Sequence, residues 1–536
     1  MVDAAGRIPI GDAETIAFYG DSITEQNLYT AYVETYLLSR LPGKRLLFYN
    51  FGWGGDTAPG GRARFERDVA PVSPTTVFVN FGMNDGGYVL PDRTIHERYV
   101  KGQRDLAAAI RRCGAREVLL TTSPVDYDIQ PVYNETLSRF ADAVIALGEE
   151  LGLPVVDIFH PMSESQRRAK AREPRFTMIP DGVHPDPVGH LVMAYCILRR
   201  LDVPGSLGEI EISRGKASAR GALRLDGFGS ADSRIEFDLA LPFIPFYVPP
   251  EARKALELVP FQDELNLFRL KIADWDPSVR CQLTIDGKEA ATFTAEALAR
   301  GVDLALVDGA GWAAQGRALW QMAQYRWRKH FEAWREMALG TDGFLKGLGS
   351  FAALQKAQAE FVRELGPAMA ELVRPRTYRV CLAETNVLDL WGLELSPLYP
   401  FDNDFASRRP PELNAEAVAW KAVRFENHVM DLAKLLGNPT NCVVYGRAFL
   451  EAESDCKLHL TLGSDDGIEV FVNGRSILAR NVMRPLNLGD DEAMAELSRG
   501  RNTLLFKVTQ GVGGYALAVK ARVYGRARVR QLDAAR

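Results

Sequence analysis

The chain has 536 residues, 47% hydrophobic and 25% charged, with a formal net charge of −5. That length exceeds what one hydrophobic core serves and implies three or four domains. The acidic balance argues against nucleic acid as a partner, which would require a basic excess or stripe, and no run reaches the ~18 consecutive apolar residues that cross a bilayer.

The amino terminus, MVDAAGRIPIGDAE, lacks the ~7–15-residue apolar stretch of a secretory signal. A secreted or periplasmic location reached by loss of a signal and a cytoplasmic one both stay open. From Thr15 to Leu201 short apolar runs alternate with helical patterns. The runs are 15–19, 45–51, 75–81, 117–121 and 154–159. Between them Leu28, Tyr32, Val33, Tyr36 and Leu37 share one helical face, and 93–113, 131–151 and 186–201 read as amphipathic helices. Nearly continuous apolar strands separated by helices predict an α/β domain over 1–205, with a parallel sheet covered on both faces. Its sites belong at the carboxyl ends of the strands.

After Val203-Pro204-Gly205 the alternation stops. Residues 206–308 read as a small β-rich region, with strands at 208–212, 234–239, 267–272 and 280–285 and a turn at Asp286-Gly287. Within it the apolar, proline-rich stretch LPFIPFYVPPEA (241–252) is either a packed connector or a wall over a site, and the connector is the simpler reading. Residues 309–375 read as a helical hairpin whose Trp320, Ala323, Trp327, Phe331, Trp334 and Ala338 make an aromatic stripe, the mark of a core-facing helix, with sugar stacking on the tryptophans the lesser alternative. From 376 to 536 strands at 443–450, 458–462, 468–472, 503–508 and 515–523, with turns about every ten residues, suggest a C-terminal β-sandwich. Asn473-Gly474 is a hairpin signal there, Asp465 and Asp466 are open to calcium binding but read more simply as turn-forming acids, and the basic run Gly525 to Arg530 reads as a solvated tail. The six cysteines, Cys113, Cys196, Cys281, Cys381, Cys442 and Cys456, include no C-x-x-C pair. This argues against a zinc site and a disulfide framework; a Cys442–Cys456 pairing stays open.

Gly20-Asp21-Ser22-Ile23-Thr24 follows directly on the first apolar run, placing Ser22 where a strand gives way to a helix. A serine hydroxyl is a weak nucleophile and needs a base within hydrogen-bond reach, oriented by a third group. In Asp181-Gly182-Val183-His184-Pro185 one turn can present His184 as that base with Asp181 holding its ring. An acyl-transfer intermediate also needs preorganised donors for its oxyanion. Gly55, in Asn50-Phe51-Gly52-Trp53-Gly54-Gly55-Asp56-Thr57, suits a backbone N–H; Asn84, in Gly82-Met83-Asn84-Asp85, suits a side-chain N–H; the Ser22 N–H is a third. Gly52 and Gly54 compete with Gly55 for its assignment. His190, His160, His96, His330, His428 and His459 read as structural or solvent-facing.

These pieces, in this order, resemble the sequence blocks of the SGNH (GDSL) hydrolase family over about residues 12–203. The resemblance implies an α/β/α sandwich fold and a serine esterase mechanism without metal or other cofactor. By the same resemblance Ser22 is the nucleophile, Asp181 and His184 its partners, and Ser22, Gly55 and Asn84 the oxyanion hole. The C-terminal region resembles, over few residues, β-sandwich modules appended to carbohydrate-active enzymes. Together these favour an acylated carbohydrate as substrate, with removal of acetyl or another short acyl group. A short-chain carboxylesterase or lipase acting on small or lipid-like esters is the alternative, and a non-catalytic glycan-binding protein a third reading. No apolar patch of lipase character stands out around the motifs in the sequence. Oligomeric state is not legible.

Overall fold

A computed structural model describes residues 6–231, 234–273, 275, 280–337, 351–384, 386–388, 390–402, 404–425, 428–524 and 527–532. The chain divides into two compact units, one of residues 1–275, 283–291 and 296–382, the other of 276–282, 292–295 and 383–536.

The first unit begins with β1 (Ile8–Pro9), β2 (Thr15–Gly20), α1 (Ser22–Glu25), α2 (Leu28–Arg40) and β3 (Leu47–Gly52). It continues with α3 (Ala58–Asp68), β4 (Thr76–Asn80), α4 (Arg93–Arg112), β5 (Arg116–Leu120) and α5 (Tyr133–Leu151). β6 (Val155–Val156), α6 (Phe159–Arg172), α7 (Pro187–Leu198) and β7 (Leu201–Asp202) complete the α/β part. Strands β3-β2-β4-β5-β6 form one sheet in that order, and every neighbouring pair is parallel. The predicted α/β domain with a helix-covered parallel sheet is therefore observed.

The order reverses at β2: the chain leaves it for β3 on one side, then crosses back to β4 on the other. Such a switch point opens a crevice beyond the carboxyl ends of the strands. Register delivers the loops to it together, because Gly20 ends β2 opposite both Gly52 of β3 and Asn80 of β4. The segments beginning at Asp21, Trp53 and Phe81 thus leave the sheet at one level.

Helix α7 is not amphipathic as expected but buried along its whole length. It packs between α2 and the 3-10 helix Pro250–Glu257, and a helix covered on all sides can be apolar all round. The stretch 241–252 is a packed connector. Phe246 is buried against Tyr32, Tyr36 and Phe261, and the carbonyl of Ile244 accepts from the buried Arg40 guanidinium at 2.5 Å.

The aromatic stripe also belongs to this core. The helix Gly311–Phe331, followed by a π-helical turn Glu332–Met337, lies along α2 and β3. Trp320 stacks on Tyr32 at 4.8 Å, Trp334 meets Phe51 edge-on at 5.2 Å, and His330 Nε2 donates to the Asn50 carbonyl at 3.0 Å. β3 is an edge strand, and its free carbonyls would otherwise invite pairing with another chain. The helix covers that edge. Ala338 of the stripe lies outside the described residues. A second helix, Phe351–Leu372, follows.

Strands Gly208–Ser213, Arg234–Leu241 and Phe268–Ile272 arise where expected. Lys216–Gly221 and Arg224–Ala231 are additional strands; the largely exposed KASARG has no apolar alternation to announce it. The strand Arg376–Glu384, which the sequence reading joins to the C-terminal sandwich, enters a sheet beside Arg234–Leu241.

In the second unit a five-stranded and an eight-stranded sheet enclose a core including Val444, Leu460, Phe506 and Val519. Asn473 and Gly474, both with positive φ, form the turn of the hairpin pairing Val472 with Arg475. The Asp466 carboxylate accepts from Gly511 N–H, 45 positions along the chain, at 2.7 Å. The basic tail differs from expectation: Val529–Leu532 adds as a strand to Cys442–Ala452, with Arg530 paired to Glu451, while Gly525 and Arg526 lie outside the described residues. Cys442 and Cys456 are free thiols.

Candidate active site

Ser22 is the first residue of α1. Asp21 caps that short helix through its carboxyl group, whose Oδ1 accepts from Ile23 N–H at 3.0 Å. The turn sits directly on the end of β3, where a Cβ on Gly52 would stand 2.1 Å from the backbone nitrogen of Glu25. Only glycine permits that approach. Buried Asn50 fastens the two segments, donating to the Thr24 carbonyl at 2.7 Å and accepting from Gly52 N–H at 2.9 Å.

His184 and Asp181 stand on the loop before α7. Asp181 Oδ1 accepts from the N–H groups of Val183 at 2.9 Å and His184 at 2.7 Å, while Oδ2 lies 2.7 Å from His184 Nδ1. The opposite ring nitrogen, Nε2, lies 2.9 Å from Ser22 Oγ. An anionic acceptor at Nδ1 places the ring proton there, leaving Nε2 to accept from the serine hydroxyl. Burial disfavours the charged Asp181 carboxyl, but the His184 and Val183 N–H groups and the imidazole outweigh it and hold its pKa below the ordinary carboxylate value. The acid is thus ionised under neutral conditions.

The glycine loop after β3 distributes its donors unequally. Gly52 N–H is engaged by Asn50, and Gly54 N–H by the Glu25 carboxylate. Gly55 adopts φ +76°, in the left-handed region. Among the described residues no acceptor faces its N–H. The Ser22 N–H, at the start of a helix, has no intrahelical acceptor. After β4, Asn84 Nδ2 donates to the Asp56 carbonyl at 3.0 Å, which leaves its second N–H available, and Asn84 Oδ1 accepts from Tyr88 Oη at 3.0 Å.

The loops are tied underneath by buried polar groups. Arg64 donates to Asp56 at 2.7 Å and to the Gly20 carbonyl at 3.1 Å, joining the glycine loop to the end of β2. Asp85 accepts from Ala58 N–H at 2.9 Å. Burial, reinforced by neighbouring acids, pushes the carboxyl of Asp21 up to about 8 and that of Asp85 up to about 7.

Arg335, from the π-helical turn, lies 3.4 Å from the centre of the Trp53 ring and 3.7 Å from Glu25. Tyr88, which meets Asn84, and Ile129, which lies against Gly182 between Asp181 and His184, are both exposed.

His190 is buried and structural: Nδ1 accepts from Tyr29 N–H at 3.2 Å, so Nε2 donates to Gln26 Oε1 at 2.8 Å. Burial, then the nearby His184, pushes its pKa down to about 3. His330 is likewise buried, on the edge of β3. Among the described residues no group of three His, Cys, Asp or Glu side chains is arranged to hold a metal ion, and no helix is long and apolar enough to cross a membrane. Sequence reasoning assigned no role to Glu25, Asn50, Asp56, Arg64, Tyr88 or Arg335. Asn50 and Asp56 lie inside a recognised motif; Tyr88 and Arg335 carry no local signal.

Residues 18–192 match the model of the GDSL-like Lipase/Acylhydrolase family. The acetylxylan esterase of Geobacillus stearothermophilus is 26% identical over 218 residues, spanning 36% of this chain and 95% of that protein. A solved structure described as a gut microbial diltiazem-metabolizing enzyme shares the fold. It is 24% identical, with a TM-score of 0.61, over 70% of this chain and 98% of that one.

Proposed function

We propose, from the premise that this chain is an ester hydrolase with a GDSL-like domain over residues 18–192, that it removes acetyl or another short acyl group from a carbohydrate through a serine-bound acyl intermediate. The observation that carries the mechanism is the continuous chain from Ser22 Oγ through His184 to Asp181. His184 Nε2 takes the hydroxyl proton as Ser22 Oγ attacks the acyl carbon. The oxyanion then accepts from the N–H groups of Ser22, Gly55 and Asn84 Nδ2. His184 returns the proton to the leaving alkoxide, the C–O bond breaks and the alcohol departs. Water adds to the acyl-enzyme by the same route, its proton passing through His184 to Ser22 as the acid is released.

The carbohydrate assignment is supported by the similarity to an acetylxylan esterase. The exposed Tyr88, beside Asn84, and Ile129, against Gly182, favour the second reading, a carboxylesterase for small apolar esters. Ser22→Ala tests the mechanism: p-nitrophenyl acetate hydrolysis should fall by about 10⁴-fold or more, and a rate matching wild type rejects it. Acetate release from acetylated glycans, set against a series of p-nitrophenyl esters, tests the substrate. Rates that climb with acyl length and no release from any glycan would select the second reading.

A further inference from the structure

We propose that Tyr88 is a positioning residue: its hydroxyl, donating to Asn84 Oδ1 at 3.0 Å, holds the Asn84 amide so that the N–H left over from Asp56 points at the acyl oxygen. The inference rests on the reading of Asn84 as an oxyanion donor.

A carboxamide pinned at one end still rotates about that contact. The Asp56 carbonyl engages one N–H of Asn84; Tyr88 engages the oxygen at the opposite corner, and two contacts define the plane of the group. An oxyanion donor is effective because it is oriented before charge develops. A hydrogen bond into the amide oxygen also polarises the amide and makes its N–H groups better donors.

Tyr88 is arranged at some cost to deliver this contact. Its φ is +60°, a conformation disfavoured for a bulky residue, and it follows Gly87 at +63°. The chain therefore reverses within four residues of Asn84. The ring packs at 4.9 Å on Tyr133, whose hydroxyl donates to the Met83 carbonyl at 2.5 Å, anchoring the same loop from below. Although its side chain is partly exposed, burial of the phenol, with the carboxyls of Asp21 and Asp181 nearby, raises its pKa. The phenol keeps the proton it donates.

The test is a double-mutant cycle in the full chain: kcat and KM for p-nitrophenyl acetate in wild type, Y88F, N84A and N84A/Y88F, read above the background of Ser22→Ala. Y88F should lower kcat about 5- to 10-fold, the scale of one neutral hydrogen bond, with KM within about twofold and the melting temperature unchanged. N84A should lose about 100- to 1,000-fold. Adding Y88F to N84A should then cost nothing further, because the group being positioned is gone. Y88F with wild-type kcat, a rise in KM alone, or an undiminished Y88F effect in the N84A background each overturns the positioning role while leaving Asn84 as donor. N84A with near wild-type kcat overturns the underlying reading itself.

Discussion

Two segments of the α/β domain, the loop before α7 and the start of α6, build the same local device. Asp181 and His184 are related by three positions, as are Asp157 and His160, and in both pairs the acid accepts from the histidine's own N–H while its other oxygen meets Nδ1, at 2.7 Å and 2.9 Å respectively. They differ in what stands at Nε2. His184 meets the Ser22 hydroxyl at 2.9 Å, whereas His160 faces Asp142 at 3.7 Å and has no hydroxyl to deprotonate. An Asp-x-x-His spacing thus produces an oriented imidazole in a loop and at a helix start alike. Its use depends on what stands opposite Nε2.

Truncating each ring separates the two devices most directly. His184→Ala should lower kcat/KM on p-nitrophenyl acetate by about 10⁵-fold or more, while His160→Ala stays within about twofold of wild type, as for a surface change. Comparable losses would erase the distinction. The acids give a smaller contrast. Asp181→Asn should cost about 10²–10⁴-fold by releasing the ring tautomer, and Asp157→Asn should leave turnover unaltered; an active Asp181→Asn would show that the backbone turn alone orients His184.

A third difference lies beneath Ser22, where buried Asp21 has no counterpart at His160, whose facing acid Asp142 is exposed. Burial, reinforced by Asp85 and Asp56 and opposed by the Ile23 N–H, raises the Asp21 carboxyl from 3.8 to about 8. The folded protein therefore retains a proton that the unfolded chain releases. This contribution to stability is fully present below pH 3.8 and is lost as pH rises through about 8. In Asp21→Asn the ionisation is absent, so its melting temperature should rise relative to wild type as pH is raised from about 5 to about 8.5. Parallel melting curves for the two proteins across that range would refute the linkage.

Much of the site was legible because its parts are local. A serine on a strand-to-helix turn, a glycine loop, an asparagine in a turn and an acid three positions before a histidine each announce themselves within a few residues. The structure brings Ser22, Asp181 and His184 into one hydrogen-bonded chain. The choice among Gly52, Gly54 and Gly55 was not legible. It turns on acceptors elsewhere, Asn50 and Glu25, which engage two of the three N–H groups. Nor was the approach of Ile129 to Gly182, since the two lie on different loops.

The sequence by itself determined the parallel α/β class, the β-sandwich that follows and the residue types available for acyl transfer, because hydrophobic period and turn chemistry are short-range properties. Only the tertiary structure decided which donors remain free, that Tyr88 meets Asn84, that the aromatic helix covers β3 through His330 on Asn50, and that Arg335 stands over Trp53. Those contacts include one that joins segments 280 positions apart. They depend on how packed elements share a limited set of hydrogen-bonding groups, which no local pattern records.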